Sequence, residues 1–329
     1  MHQAETAAFL NHKGGVGKTT SVANTGAGLT LLGKRVLLVD LDPQGHLTSF
    51  LGIAPGEVGA TVYDVLRGRA QLREAIVTRP LKARLYRDGQ DAQLSMSLVP
   101  STVDLAEAEM TLAGTPMREH LLRKALSGAR GDYDYILLDC PPSLGLIAVN
   151  ALVASSKVFI PVQTEYLALQ SIESLMEKIE SVMAELNQDL VIGGLIATRY
   201  DGRKVLSRAV VEALRERFGV LLLDTMIREN IVLAESPRYG MDIFSYRPRS
   251  YGMEDYLNLS LEIMGRIAAA NTLFSVERGV IKAAGADGET APAASEDVAP
   301  SGQDIAAARG VTAFDDGETT VDDDSIIPV

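Results

Sequence analysis

Short runs of unbroken apolar residues alternate along the chain with stretches in which apolar side chains recur every third or fourth place. Strands are predicted at Ala7 to Leu10, Val36 to Asp40, Leu94 to Val99, Tyr135 to Asp139, Val158 to Val162, Val191 to Ala197 and Leu221 to Thr225. Thr19 to Leu32 predicts a helix. Leu169, Ile172, Met176, Ile179, Met183 and Leu186 advance by three or four residues, as one helix face does, and such a stripe is more often core than interface. Strands spaced by helices predict an α/β fold, a mostly parallel sheet flanked by helices on both faces. Ligands of such sheets bind beyond the carboxyl ends of the strands. The notable polar residues of this sequence fall at those ends. No internal repeat is present.

Composition changes the picture mainly at the C-terminus. The formal charge is −12, but 12 of the 43 acidic residues and only 3 of the 31 basic ones lie from Ser275 onward. The remainder is close to neutral. That last stretch is rich in Ala, Gly, Asp, Glu and Pro and lacks a hydrophobic period. It cannot bury enough apolar surface to offset its ordering entropy, so residues 275–329 are expected to be a disordered acidic tail after a folded domain at 1–274. A solvated tail is the simpler reading; a partner-binding or DNA-mimicking segment is the sharper one. No apolar run is long enough to span a bilayer and no signal peptide is evident, so a cytoplasmic protein is expected. The single cysteine excludes an internal disulfide framework and a Cys-rich metal site.

Candidate chemistry begins at "LNHKGGVGKTTS", residues 10 to 21, a strand–loop–helix junction. Glycines allow a tight turn whose N–H groups approach an anion, and the helix N-terminus adds positive potential. Lys18 and Thr19 match the end of a phosphate loop, where the lysine reaches the β- and γ-phosphates and the hydroxyl meets magnesium. The first glycine of the usual pattern is replaced by His12, and Lys13 is left unexplained by the simple motif.

Two strand ends carry carboxylates. Asp139 closes an apolar strand, the arrangement that holds magnesium in such proteins, although a terminal Asp alone can equally cap the next helix. Asp40 and Asp42 follow the second strand and share a side by β-period, with an Asp-Pro turn as the plainer reading of the loop. A carboxylate beside the γ-phosphate can orient the attacking water. Lys204, Arg208 and Arg215 fall at i, i+4 and i+11 after Arg203, opposite Val205, Ala209, Val210, Ala213 and Leu214. Arg228, Arg238, Arg247 and Arg249 follow. Spacing alone favours a solvated charged face there over a nucleic-acid surface.

"KGGVGKTT", "VLLVDLDPQG", "YILLDCPPSLG", "IPVQTEYLAL" and "IRENIVLAESPRYGMDIFSYRPRSYG" together resemble the ParA/MinD family of deviant-Walker ATPases, most of all its chromosomal-type ParA (Soj) branch, from residue 5 to about 270. The resemblance implies a phosphate-loop fold that binds ATP and Mg2+ and forms a homodimer with ATP. Lys13 resembles the signature lysine that crosses the dimer interface to the partner's nucleotide. Lys13, Lys18 and Asp42 are then the catalytic residues, with Asp42 supporting the water. Lys13, Gly14, Gly15, Val16, Gly17, Lys18, Thr19 and Thr20 line the nucleotide phosphates, and Thr19, Asp40 and Asp139 belong to the metal site. The family further implies nonspecific DNA binding, here through Arg203, Lys204, Arg208, Arg228, Arg238 and Arg247, a nucleoid-associated location and a ParB-like stimulating protein. His12, His46 and Cys140 depart from the residues common in the family and read as tolerated substitutions. No helix-turn-helix segment precedes the phosphate loop, so operator recognition is not expected.

Two other classes compete. A membrane-positioning relative like MinD ends in a basic amphipathic helix, whereas this sequence ends in Asp322-Asp323-Asp324 and a short apolar stretch, which an anionic leaflet repels. A redox relative such as the nitrogenase iron protein needs two cysteines per subunit for its bridging cluster, and this chain has one.

Overall fold

The computed structural model describes residues 3–284 except 55–56, 88–89 and 167, without the side chains of 82–93 and 268–284. Its strands are β1 (Glu5–Phe9), β2 (Val36–Asp40), β3 (Val77–Arg87), β4 (Gln90–Val99), β5 (Tyr135–Asp139), β6 (Lys157–Gln163) and β7 (Val191–Thr198). The first helices are α1 (Lys18–Leu31), α2 (His46–Phe50), α3 (Val62–Leu66), α4 (Ala108–Thr111), α5 (Leu121–Leu126) and α6 (Leu146–Ala154). They are followed by α7 (Ala168–Glu185), α8 (Val205–Phe218), α9 (Ile231–Glu235), α10 (Ile243–Tyr246) and α11 (Tyr251–Ala284).

All seven strands join one sheet in the order β3-β4-β2-β5-β1-β6-β7. Every pairing is parallel except β3 with β4. Successive side chains of a strand point to opposite faces, so each central strand feeds two cores. Ala8, Leu37, Val39, Ile136 and Leu138 pack under α3, α5, α6, α7 and α8. Ala7, Phe9, Val36, Leu38 and Leu137 pack under α1, α2, α9, α10 and α11. This two-sided burial is why β1, β2 and β5 read as continuous apolar runs. The stripe on α7 is core: Ile172, Met176 and Ile179 are buried, and Leu169 and Met183 pack partly against them.

Two expectations are corrected. Leu221 to Thr225 is not a strand. It touches β7 through one isolated bridge, Leu195 to Leu222, because the Asp224 and Thr225 N–H groups donate to the Glu262 carboxylate instead of to a neighbouring strand. The seventh strand is β3, which the pattern missed. It is an edge strand interrupted by Pro80, where the register shifts, and proline is tolerated only at such edges. The last helix, α11, is described to Ala284, and residues 285–329 of the expected tail lie outside the described residues. Among the described residues no helix is long and apolar enough to cross a membrane.

Candidate nucleotide site

The phosphate loop leaves β1 in the middle of the sheet, at the carboxyl ends of the parallel strands. Asn11 sets its entry: the buried side chain donates to the Pro161 carbonyl (2.8 Å) and accepts the Lys13 N–H (3.0 Å). Thr198 at the end of β7 sets its exit by donating to the Val16 carbonyl (2.8 Å). Gly17, at φ 90°, turns the chain into α1 through a conformation that side-chain-bearing residues rarely adopt. A Cβ added at Gly14 or Gly15 would meet nothing within 4 Å, so the loop borders open space on that side.

Lys18 opens α1 as a buried residue, only 8% exposed, and its ammonium donates to the Lys13 carbonyl (3.4 Å). Burial lowers its pKa, and the charges of Asp139 and Asp42 oppose that effect. Thr19 donates its hydroxyl to one Asp139 oxygen (2.8 Å). The other Asp139 oxygen is buried without a hydrogen-bond partner. Burial raises the Asp139 pKa well above the carboxylate range, with the Asp40 charge adding to the shift. The two aspartates are register partners across β2 and β5.

Asp40 uses its oxygens inward. One accepts the Asp42 N–H (3.1 Å), the other the N–H and hydroxyl of Thr48 (2.8 and 2.7 Å), which fixes the start of α2. Burial, the largest cause, pushes its pKa up to about 6. Asp42 accepts the Gln44 N–H through one oxygen (2.9 Å), and its second oxygen lies 3.9 Å from His46 Nδ1. The side chain of Asp42 is nearly buried. Lys13 is half exposed, and its ammonium pairs with Glu165 just beyond β6 (2.6 Å). The loop thus gathers Lys18, Thr19, Asp42 and Asp139, while Lys13 is turned toward Glu165.

An orphaned buried carboxylate oxygen beside a hydroxyl suits Mg2+, a hard cation that takes a few protein oxygens and completes its shell with water and phosphate. The residues present fit the ion. Thr19 and Asp139 would hold it, with Asp40 behind them as the support of the loop. In the absence of ligand, the raised pKa values carry a stability cost with a defined sign. Asp40 holds its proton up to about 6 when folded against a reference of 3.8, so stability is highest below the lower value and is lost as pH rises through the upper one. Asp139→Asn removes part of that cost. The variant should melt several degrees higher than the parent at pH 7.5 without nucleotide, with a flatter pH dependence and no ATP hydrolysis. A lower melting temperature for the variant would show that the ionised carboxylate is not a burden.

The candidate DNA residues are scattered around the end of β7 and beyond. Arg203 makes a two-pronged contact to Asp201 (2.9 and 3.0 Å), Lys204 pairs with Glu229, and Arg208 donates to the Gly202 carbonyl (2.6 Å). Arg228 is held by Asp255 and Glu254 beneath the Tyr251 ring. Val205, expected on the apolar face of α8, is 73% exposed; Ser207, Val210, Val211 and Leu214 are the buried positions. Asn11 and Glu165 lie inside segments singled out in the sequence without a role having been assigned to them, and Thr48 and Thr198 lie in none.

A buried lysine facing carboxylates that resist ionisation needs a ligand bringing negative charge together with a cation. The fold and this pocket define a phosphate-loop nucleotide-binding protein. The pattern of the family described as AAA domain matches residues 4–192. The sporulation initiation inhibitor protein Soj of Bacillus subtilis is 43% identical over 256 residues, 78% of this chain and 96% of that protein. The chromosome partitioning protein ParA of Caulobacter vibrioides is 39% identical over 261 residues, 79% of this chain and 93% of that one. Among solved structures, cobyrinic acid a,c-diamide synthase of Mycobacterium smegmatis, with a bound ATP analog and magnesium, aligns with a TM-score of 0.65 and 36% identity, covering 78% of this chain and 93% of that one. The chain belongs to the ParA/Soj family of ATPases.

Proposed function

We propose that the chain is a Mg2+-dependent partition ATPase. It dimerises on ATP, binds DNA without sequence preference in that state, and hydrolyses ATP under stimulation by a ParB-like protein, so that DNA cargo is segregated or positioned. The observation that carries this reading is the junction of Lys18, Thr19 and Asp139, where one buried carboxylate oxygen awaits a ligand. The similarity to relatives named for chromosome partitioning supports the partition cargo.

Bound Mg2+ would neutralise phosphate charge as it develops. The chain's own groups do the rest. Lys18 and the loop N–H groups hold the β- and γ-phosphates, and burial strengthens that attraction. Asp42, fixed by its turn, orients the attacking water and accepts its proton. Thr48 and Asp40 keep that turn in place. Lys13 leaves Glu165 on dimerisation and reaches the partner's nucleotide. Arg203, Lys204, Arg208, Arg228, Arg238 and Arg247 supply the candidate DNA contacts of a cytoplasmic, nucleoid-associated protein, and the ATPase domain spans 1–274 ahead of the acidic tail.

Random-sequence duplex tests the reading. Binding should require ATP with Mg2+ and fall steeply as salt rises from 50 to 200 mM, by roughly a hundredfold or more. Absence of ATP-dependent binding at any salt would remove DNA from the proposal. Lys13→Ala separates the dimer from the pocket: nucleotide should still bind, while sedimentation should show no ATP-dependent dimer. A normal dimer in that variant would make Lys13 an ordinary loop residue.

A further inference from the structure

β3 closes one edge of the sheet, and among the described residues no strand lies beyond it. An edge strand presents a row of N–H and C=O groups that can pair with another extended chain. Pro80 lacks the N–H, and the register shifts between Pro80 and Arg84, so the run open to pairing is 81–87. β3 carries Arg79, Lys82, Arg84 and Arg87 and no acidic residue. Arg79 is engaged: it pairs with Glu57 (2.9 Å) and donates to the Gly52 carbonyl (3.3 Å). Lys82, Arg84 and Arg87 belong to the open run.

Charge decides what can lie there. A second copy of β3 would set cations against cations, and like charges on paired strands repel. An extended acidic segment meets the opposite sign. The chain carries such a segment itself, at residues 315–324. Its sequence, DDGETTVDDD, holds six carboxylates and no cation. Thr319, Thr320 and Val321 at its middle are β-branched, the type that suits a strand. A segment so poor in apolar residues does not fold alone, and its ordering waits for a surface.

The segment can reach this edge. α11 passes the opposite one, where Arg266 donates to the Val220 and Leu222 carbonyls beside β7 (2.7 and 3.3 Å). A sheet of seven strands at spacings of about 4.8 Å is about 29 Å wide. The helix beyond Arg266 adds at most about 27 Å. Residues 285–314 span up to about 100 Å when extended, enough for the least favourable direction.

We propose that residues 315–324 add to the sheet as an eighth strand along residues 81–87 of the same chain. Backbone pairing and opposite charge hold the segment there, and it closes the one edge that β3 leaves open.

A nitroxide on the tail reads the docking in the full-length protein. Cys140 is buried, so Ser325→Cys supplies the reactive thiol, and thermal melts check that each variant folds. At about 10 mM salt, where the Debye length is about 30 Å, the spectrum should show an immobilised component. That component should fall to less than about a third at about 1 M salt, where the Debye length is about 3 Å. Lys82→Glu/Arg84→Glu/Arg87→Glu should lower it as far at low salt. Adding Asp322→Lys/Asp323→Lys/Asp324→Lys to that variant should restore it, because the signs are then exchanged. Deuterium uptake at 81–87 and 315–324 should rise together in the first variant and fall together in the second. A mobile label in the parent at low salt overturns the proposal, as does an immobilised one indifferent to the charges of β3. Immobilisation with unprotected amides in both segments leaves charge attraction alone and overturns the added strand. An immobilised component that disappears on dilution assigns the segment to a second copy and overturns the pairing within one chain.

Discussion

Lys18→Ala should weaken ATP binding about a thousandfold, roughly 4 kcal/mol at 1.4 kcal/mol per factor of ten. Lys18 is a buried residue at the first position of α1, and burial already lowers its pKa. Charge-assisted contacts to phosphate contribute about 1.5–3 kcal/mol each, and one lysine serves two phosphates here. Its removal also leaves buried Asp139 without the nearest positive charge, which strengthens repulsion of the incoming triphosphate. Equilibrium binding of a fluorescent ATP analogue measures the loss. Affinity within threefold of the parent would displace the phosphates from this loop.

Asp42→Ala should leave ATP affinity within a few-fold and reduce turnover by about a hundredfold to ten-thousandfold, the range associated with a lost general base. The two effects separate because Asp42 stands after β2, across from Lys18, and only one of its oxygens is used by the turn through Gln44. The variant should accumulate as an ATP-bound dimer, visible by sedimentation as a species that persists instead of decaying with hydrolysis. A monomer at saturating ATP and Mg2+, or turnover within tenfold of the parent, would take the water away from Asp42.

The phosphate loop and both carboxylate strands were legible because each is a local pattern with a physical cause. β2 and β5 are buried on both faces, so they are apolar to their last residue, and an aspartate there stands out. β3 was not legible, since an edge strand with Pro80 lacks that burial. Nor were the residues that hold the loop in shape. Asn11 bonds 150 positions away and Thr198 reaches back 182, and each is one polar residue at the end of an apolar run. Glu165 is similar: nothing near it in sequence announces that Lys13 will lie against it. Charge spacing misled in another way. The basic periodicity of α8 says nothing of Asp201 and Glu229, which lie outside the helix and neutralise its first cations.

Helix α1 has no outer side. Ser21 to Thr30 are all buried, enclosed by the sheet on one side and by α2, α10 and α11 around the rest. Gly26 and Gly28 allow Leu38 and Ser260 to press against the helix axis. An element so enclosed cannot fray into solvent while its surroundings stay folded. Its amide hydrogens should therefore exchange with deuterium only through whole-domain opening, the slowest class in the protein. Nucleotide should slow all ten by the same factor, set by the ligand's concentration relative to its dissociation constant. Deuterium uptake across this one segment thus reads binding energy free of local flexibility, even though the ligand touches only the segment's first turn.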